Sequence, residues 1–273
     1  MQNLNQILEN IIKESKENVA ILIKELNNSK NIYDCNDKIK MISASTIKIP
    51  IMLAVLEEVK NKKIDLNEKI LVSNNEILSD SKIFENGEQY YSLYELINWM
   101  IIVSDNTATN VIIKKIGMEK INRYILNELK LKSTSLERYM LDEEAIKEGY
   151  NNYTSQEDML EIFTKLFNKE ILNNELCNKA IDILYNQRCQ DQIMRYIYQP
   201  IKYAHKTGSL DYLNHDVGVL NVNNKYFYVG VSLYNSKNKN GNKKLAGKLG
   251  KVIYEYLNNL VNGDGVFWQP FNW

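Results

Sequence analysis

Strand-like and helical periodicities are unevenly distributed along this 273-residue chain, and that distribution restricts the fold more than any single residue does. Leu4, Leu8, Ile11 and Ile12 recur at helical spacing, and the aliphatic run Val19 to Ile23 predicts a strand directly after them. The other strand-like segments lie far along the chain, at Lys202 to Lys206, Val217 to Val222 and Tyr226 to Tyr234, joined by hairpins and followed by a helix from about Lys244 to Leu260. Helical patterns fill the interval: Ser43 to Val59, two helices within Leu93 to Gly117 separated near Ser104, then Glu157 to Phe167 and Asn174 to Asn186. A sheet must therefore be assembled from both chain ends, with a mainly helical lobe inserted between them and a cleft at the junction.

Two segments escape this pattern. Leu131 to Ser155 loses periodicity, carries many charges and contains Gly149, Asn151 and Asn152, so it reads as a long irregular connection of the kind that often serves function. Gly263 to Trp273 holds two of the three tryptophans together with Phe267 and Phe271 after a Gly-Asp-Gly joint. This tail is either an appended peptide or a native segment packed on its own domain.

Composition narrows the functional classes. Lys plus Arg and Asp plus Glu both number 34, which leaves no net field to draw a nucleic acid or an acidic membrane face. With Arg123, Arg138, Arg188 and Arg195 the only arginines, a multi-arginine phosphate clamp is hard to build. Cys35, Cys177 and Cys189 have neither metal-ligand nor redox spacing and are expected to be reduced, buried small hydrophobes. His205 and His215 are too few for a multi-histidine metal site; no metal and no cofactor are expected. No apolar run reaches the roughly 18 residues of a membrane span. Met1 to Glu25 lacks an export-signal pattern, so the expected location is cytoplasmic as written, or extracytoplasmic where a native signal has been removed.

Three short motifs carry chemistry. In Ser45-Thr46-Ile47-Lys48, at the start of an apolar helix, three-residue spacing puts a hydroxyl and an amine on one face, and a lysine desolvated there can act as a base. Alone, the same residues read as a helix cap followed by a solvated lysine. Ser104-Asp105-Asn106 adds a hydroxyl and an amide between two helices, where it also reads as an N-cap cluster. Lys206-Thr207-Gly208-Ser209 ends a strand, where glycine admits a ligand close to the backbone and strand NH groups can bind a carbonyl oxygen.

In this order and on these element types, the motifs resemble those of class A β-lactamases and related penicillin-recognising serine hydrolases. Ser104-Asp-Asn-Thr-Ala-Thr-Asn110 followed by Ile116-Gly117 extends the resemblance, which covers residues 1 to 262. It implies an α/β fold of the β-lactamase/transpeptidase type: an antiparallel sheet flanked by helices, formed by about 1–60 and 200–262, with an all-helical lobe of about 61–199. It further implies Ser45 as nucleophile, Lys48 as proton acceptor in acylation and Ser104 as proton relay to the leaving nitrogen. Asn106 would hold the substrate's amide, Lys206 and Thr207 its carboxylate, and the backbone NH groups of Ser45 and Ser209 the oxyanion.

The chain departs from that family at two places. Aligning Leu136-Glu137-Arg138 with the family's long-loop entry puts Met140 where a water-positioning glutamate stands, and a thioether cannot activate water. Asp142, Glu143 and Glu144 lie near enough to substitute after a shift of register, but read more simply as exposed loop charge. Arg138 lacks a clear aspartate partner. His215-Asp216 stands where many members place a carboxylate-binding arginine; His215 would be either a pH-dependent cation or a structural partner of Asp216. His205 should face away from the site, because neighbours alternate along a strand. The expected function is acyl-enzyme formation at Ser45 on a small β-lactam, ester or amide, with slow deacylation and weak β-lactamase activity. The alternatives are an efficient β-lactamase, a D,D-peptidase or a β-lactam-binding module without turnover, and the oligomeric state is open.

Overall fold

The computed structural model describes residues 3–237 and 242–263. The chain opens with α1 (Leu4–Ser15), started by a reciprocal capping box between Asn3 and Gln6, and then β1 (Asn18–Glu25). The short strands β2 (Tyr33–Cys35) and β3 (Met41–Ile42) lead into a 3₁₀ turn, Ala44–Ile47, that passes directly into α2 (Lys48–Lys60). After β4 (Lys69–Val72) and β5 (Gln89–Ser92) come α3 (Leu93–Ile102), α4 (Asn106–Ile116), α5 (Met118–Asn127) and α6 (Glu143–Lys147). The remainder is β6 (Tyr153–Thr154), α7 (Gln156–Phe167), α8 (Asn174–Tyr185), a second 3₁₀ turn at Ile193–Tyr196, β7 (Lys202–Leu210), β8 (Leu213–Val222), β9 (Lys225–Tyr234) and α9 (Lys243–Asn262).

The main sheet has the order β2-β1-β9-β8-β7 and is antiparallel throughout, so the first long strand pairs with the last, from Asn18 opposite Tyr234 to Glu25 opposite Phe227. The β8–β9 hairpin turns on Asn223 and Asn224, both left-handed (φ 49° and 66°), a conformation asparagine adopts readily and one that matches strand twist. Alternation along the strands divides the interior in two. Val19, Ile21, Ile23, Tyr203, Leu220 and Val229 pack with α1 and α9, whereas Leu22, Ala204, Val217, Val219 and Tyr228 pack with the helical lobe.

The fold is the one the resemblance implied, with local differences. Helix α2 is apolar on nearly every side and forms the centre of the helical lobe against α3, α4, α5 and α8, rather than belonging to the sheet layer. Pro50 sits in its first turn, where no intrahelical N–H bond is required. Truncating fully buried Leu53 to alanine there would cost about 2–5 kcal/mol. The lobe is not wholly helical: β4 and β5 form a two-stranded ribbon, and β3 pairs with β6. Of the C-terminal tail, 264–273 lies outside the described residues.

Candidate active site

Ser45 lies half-buried in the 3₁₀ turn, in which residues three apart eclipse one another, so the turn sets Ser45 and Lys48 on one side of the helix foot. The preceding Ala44 is left-handed (φ 44°), as is Ser104 (φ 62°) between α3 and α4. Both serine turns thus hold a conformation that non-glycine residues adopt at a cost and that recurs at functional sites.

Lys48 is completely buried, and its Nζ donates to the Ser104 carbonyl at 2.7 Å, Ser104 Oγ at 3.2 Å and Asn106 Oδ1 at 2.8 Å. Burial, and then the nearby Lys206 charge, pushes its pKa well below the ordinary lysine range, against the opposing pull of Asp105 and Asp80. Lys206, also fully buried, donates to Ser104 Oγ at 3.0 Å and to the Thr207 carbonyl at 2.8 Å, and burial lowers its pKa to about 8. The amines of Lys48 and Lys206 therefore both donate to Ser104 Oγ and fill its two lone pairs. Its own proton is left to point elsewhere. Asp105, buried, does not face this cluster directly; it caps α4 by accepting from Ala108 N at 2.8 Å.

Strand β7 closes the other side. Gly208 lies so near the nucleophile turn that a Cβ there would stand 3.0 Å from Ser43 O and 3.1 Å from Ser45 N, which excludes any larger residue without displacement. Ser45, Ser104, Asn106, Thr207 and Ser209 all line one cavity of 470 Å³, with Arg188, Cys189, Gln190, Asp191 and Lys243 as its far wall. The expected site residues thus converge, and Lys48 and Lys206 reach the same group through Ser104. Only Cys177 fits the expectation of buried cysteines: Cys35 and Cys189 are both half-buried, and Cys189 lines the cleft.

A family model described as the beta-lactamase enzyme family matches residues 3–257. The chain belongs to the beta-lactamase enzyme family. Beta-lactamase VEB-1 of Pseudomonas aeruginosa is 23% identical over 94% of this chain and 91% of its own length, and beta-lactamase BRO-1 of Moraxella catarrhalis is 27% identical over 78% and 72%. A beta-lactamase from Chitinophaga pinensis superposes with a TM-score of 0.86 at 19% identity, covering 94% of this chain and all of that one. PBP-A gives 0.83 at 21%, covering 95% and 97%. These likenesses establish a β-lactamase/transpeptidase-like fold.

In this β-lactamase-family chain the long connection is tied down by asparagines. Arg138 is buried and donates through Nε to Asn151 Oδ1 at 3.0 Å and through a terminal nitrogen to Tyr139 O at 2.9 Å, so an amide takes the place of the sought aspartate. Asn152 Oδ1 accepts from Glu137 N at 2.8 Å and Arg138 N at 3.1 Å, and its carbonyl accepts from Ser43 N at 2.8 Å, two residues before Ser45. Met140 is buried in the helical-lobe core, its backbone clasped by Asn110, which accepts from Met140 N at 2.8 Å and donates to Met140 O at 3.1 Å. Asp142 caps α6, and Glu143 and Glu144 are exposed.

The expectation for His215 needs correction, whereas His205 faces away from the site as expected. Asp216 pairs with His205, at 2.7 Å, and accepts from Ile193 N at 3.1 Å, not with His215. This pair faces α9, opposite Lys206 across the sheet, as alternation requires. His215 Nε2 instead approaches Ile42 O at 2.8 Å, and burial drives its pKa down to about 4, so it is neutral rather than a cation near pH 7. Arg188 is an exposed cation in the cleft, on a segment held by Arg188 N donating to Ile102 O at 3.0 Å and by Gln187 Nε2 donating to Ile101 O at 2.8 Å. Its approach depends on a crossing from α8 back to α3, which no sequence spacing signals. Among the described residues no acidic, histidine or cysteine cluster could hold a metal, and no helix is long and apolar enough to cross a membrane.

Proposed function

We propose that the protein is a serine acyl hydrolase that forms an ester at Ser45 and releases it slowly. The observation that carries this is the placement of two buried, pKa-depressed lysines on the single hydroxyl of Ser104, beside the nucleophile turn. In its neutral form Lys48 accepts the Ser45 proton as Oγ bonds to the substrate carbonyl carbon, and the NH groups of Ser45 and Ser209 receive the carbonyl oxygen as it gains charge. The close approach of Gly208 to Ser45 supports that last assignment. When the C–N bond breaks, Ser104 gives its proton to the leaving nitrogen and is recharged by Lys48 across their 3.2 Å contact. Asn106 holds the acyl amide; Lys206 and Thr207 hold the carboxylate, with the cleft-facing Arg188 supplying the charge that β8 lacks.

Slow release follows from the long loop. Water attack on the ester needs a proton acceptor, and Met140 offers none; Asp142 is engaged at α6, and neither it, Glu143 nor Glu144 lines the cleft. A missing general base costs about 10²–10⁴ in rate. The clasp of Asn110 on both backbone groups of Met140 supports the register that puts methionine there. Mixing the enzyme rapidly with a chromogenic cephalosporin should give a burst equal to the enzyme present, followed by a much slower steady rate. Linear turnover from the outset, with no burst, would identify an efficient β-lactamase. A burst with no steady rate at all would instead fit a module that binds its ligand once.

A further inference from the structure

Asn106 has both ends of its amide occupied. Oδ1 accepts from Lys48, and Nδ2 donates at 2.7 Å to Oδ2 of Asp80, a residue on the connection between β4 and β5. That connection is laid antiparallel against the serine turn by three bonds. Leu78 N donates to Thr107 Oγ1 at 2.9 Å, Asp80 accepts from Asn106, and Ser81 Oγ donates to Asp105. Asp80 is itself solvent-exposed, so its carboxylate has one oxygen on a site residue and the other open to a ligand that reaches Asn106. Its charge also reaches Lys48. The cleft lining carries Arg188 and Lys243, the latter paired to Asp191, and Asp80 adjoins that lining through its bond to Asn106.

We infer that Asp80 is a substrate-binding residue that selects acyl groups carrying a cation, so that the preferred substrate is zwitterionic, with an ammonium on the acyl side and a carboxylate on the leaving side. An ammonium near the acyl amide pairs with Asp80 and releases Asn106 Nδ2 to donate to the acyl carbonyl. A substrate without the cation has to break the Asp80–Asn106 bond with nothing to replace it. This assignment deepens the acyl-serine reading and rests on it for the direction in which the substrate lies.

The test uses Ser45→Ala protein, so that binding is read without acylation, and calorimetry at about pH 6, where an α-amine is protonated. Ampicillin, with an amine on its acyl side chain, should bind about fivefold tighter than penicillin G, which lacks it, the size of effect an exposed ion pair supplies. Adding Asp80→Asn should erase the preference while penicillin G binds as before or better. Equal affinities in the Ser45→Ala protein, a preference that survives Asp80→Asn, or no binding of either compound would overturn the assignment. Selective binding with no adduct on the unsubstituted protein counts only against the acyl-serine reading.

Discussion

At the scale of single residues, the chemistry rests on two lysines that cannot keep ordinary lysine behaviour when buried. For Lys206 the sign is definite: a depressed lysine pKa means the charge is present below about 8 and lost above it. The Michaelis constant for a penicillin should therefore be flat below about pH 8 and rise above it, whereas that of an uncharged ester should not, and Lys206→Gln should remove the difference. Profiles that move together for the two substrates would separate Lys206 from carboxylate binding. Met140→Glu tests the loop: a carboxylate placed there should speed release by about 10²–10⁴, read as the decay of the acyl-enzyme, with some loss of stability because the position is buried. The nucleophile, its base and the β7 lysine were legible because each lies in a short motif whose spacing encodes geometry. Asp80, Asn110 and Arg188 were not, since their partners or their cleft position come from chain crossings that no local pattern records.

At the scale of elements, the long connection and the nucleophile turn are one unit. Asn152 bonds Glu137, Arg138 and Ser43, and β6 pairs with β3 just before Ser45, so the loop's exit fixes the nucleophile's entry. Asn152→Ala leaves the buried backbone NH of Arg138 and the partly buried NH of Glu137 without their acceptor and should cost about 1–3 kcal/mol in urea unfolding, while slowing acylation as well as release. A variant that loses stability but acylates at the normal rate would break this link. Element reading from sequence succeeded where apolar periodicity was long, as in β1, α7, α8 and α9. It missed α5, an amphipathic helix beginning right after Gly117, and the ribbon β4–β5, whose short strands are half-exposed and weakly patterned.

At the scale of the whole molecule, a sheet built from both chain ends makes the two cores depend on each other. Leu22, Ala204, Val217, Val219 and Tyr228 belong to the helical-lobe core, while their strand neighbours belong to the core under α9. Urea unfolding of a Trp268→Phe, Trp273→Phe protein, in which Trp99 is the one tryptophan left, should accordingly be one transition, with fluorescence and far-ultraviolet circular dichroism coinciding; separated midpoints would mean that the lobe folds on its own. This arrangement was legible early, because strands at both ends of a helical middle admit few closures. The placement of α2 was not, since an all-round apolar helix does not reveal which neighbour buries it.

The central claim is an acyl group carried on Ser45 and released slowly, and intact-protein mass spectrometry during incubation with a penicillin tests it most directly. The mass should rise by that of one penicillin, persist long after mixing, and stay unchanged in Ser45→Ala. Rapid loss of the penicillin with no adduct at any time would contradict slow release, and an adduct that survives in Ser45→Ala would contradict the nucleophile.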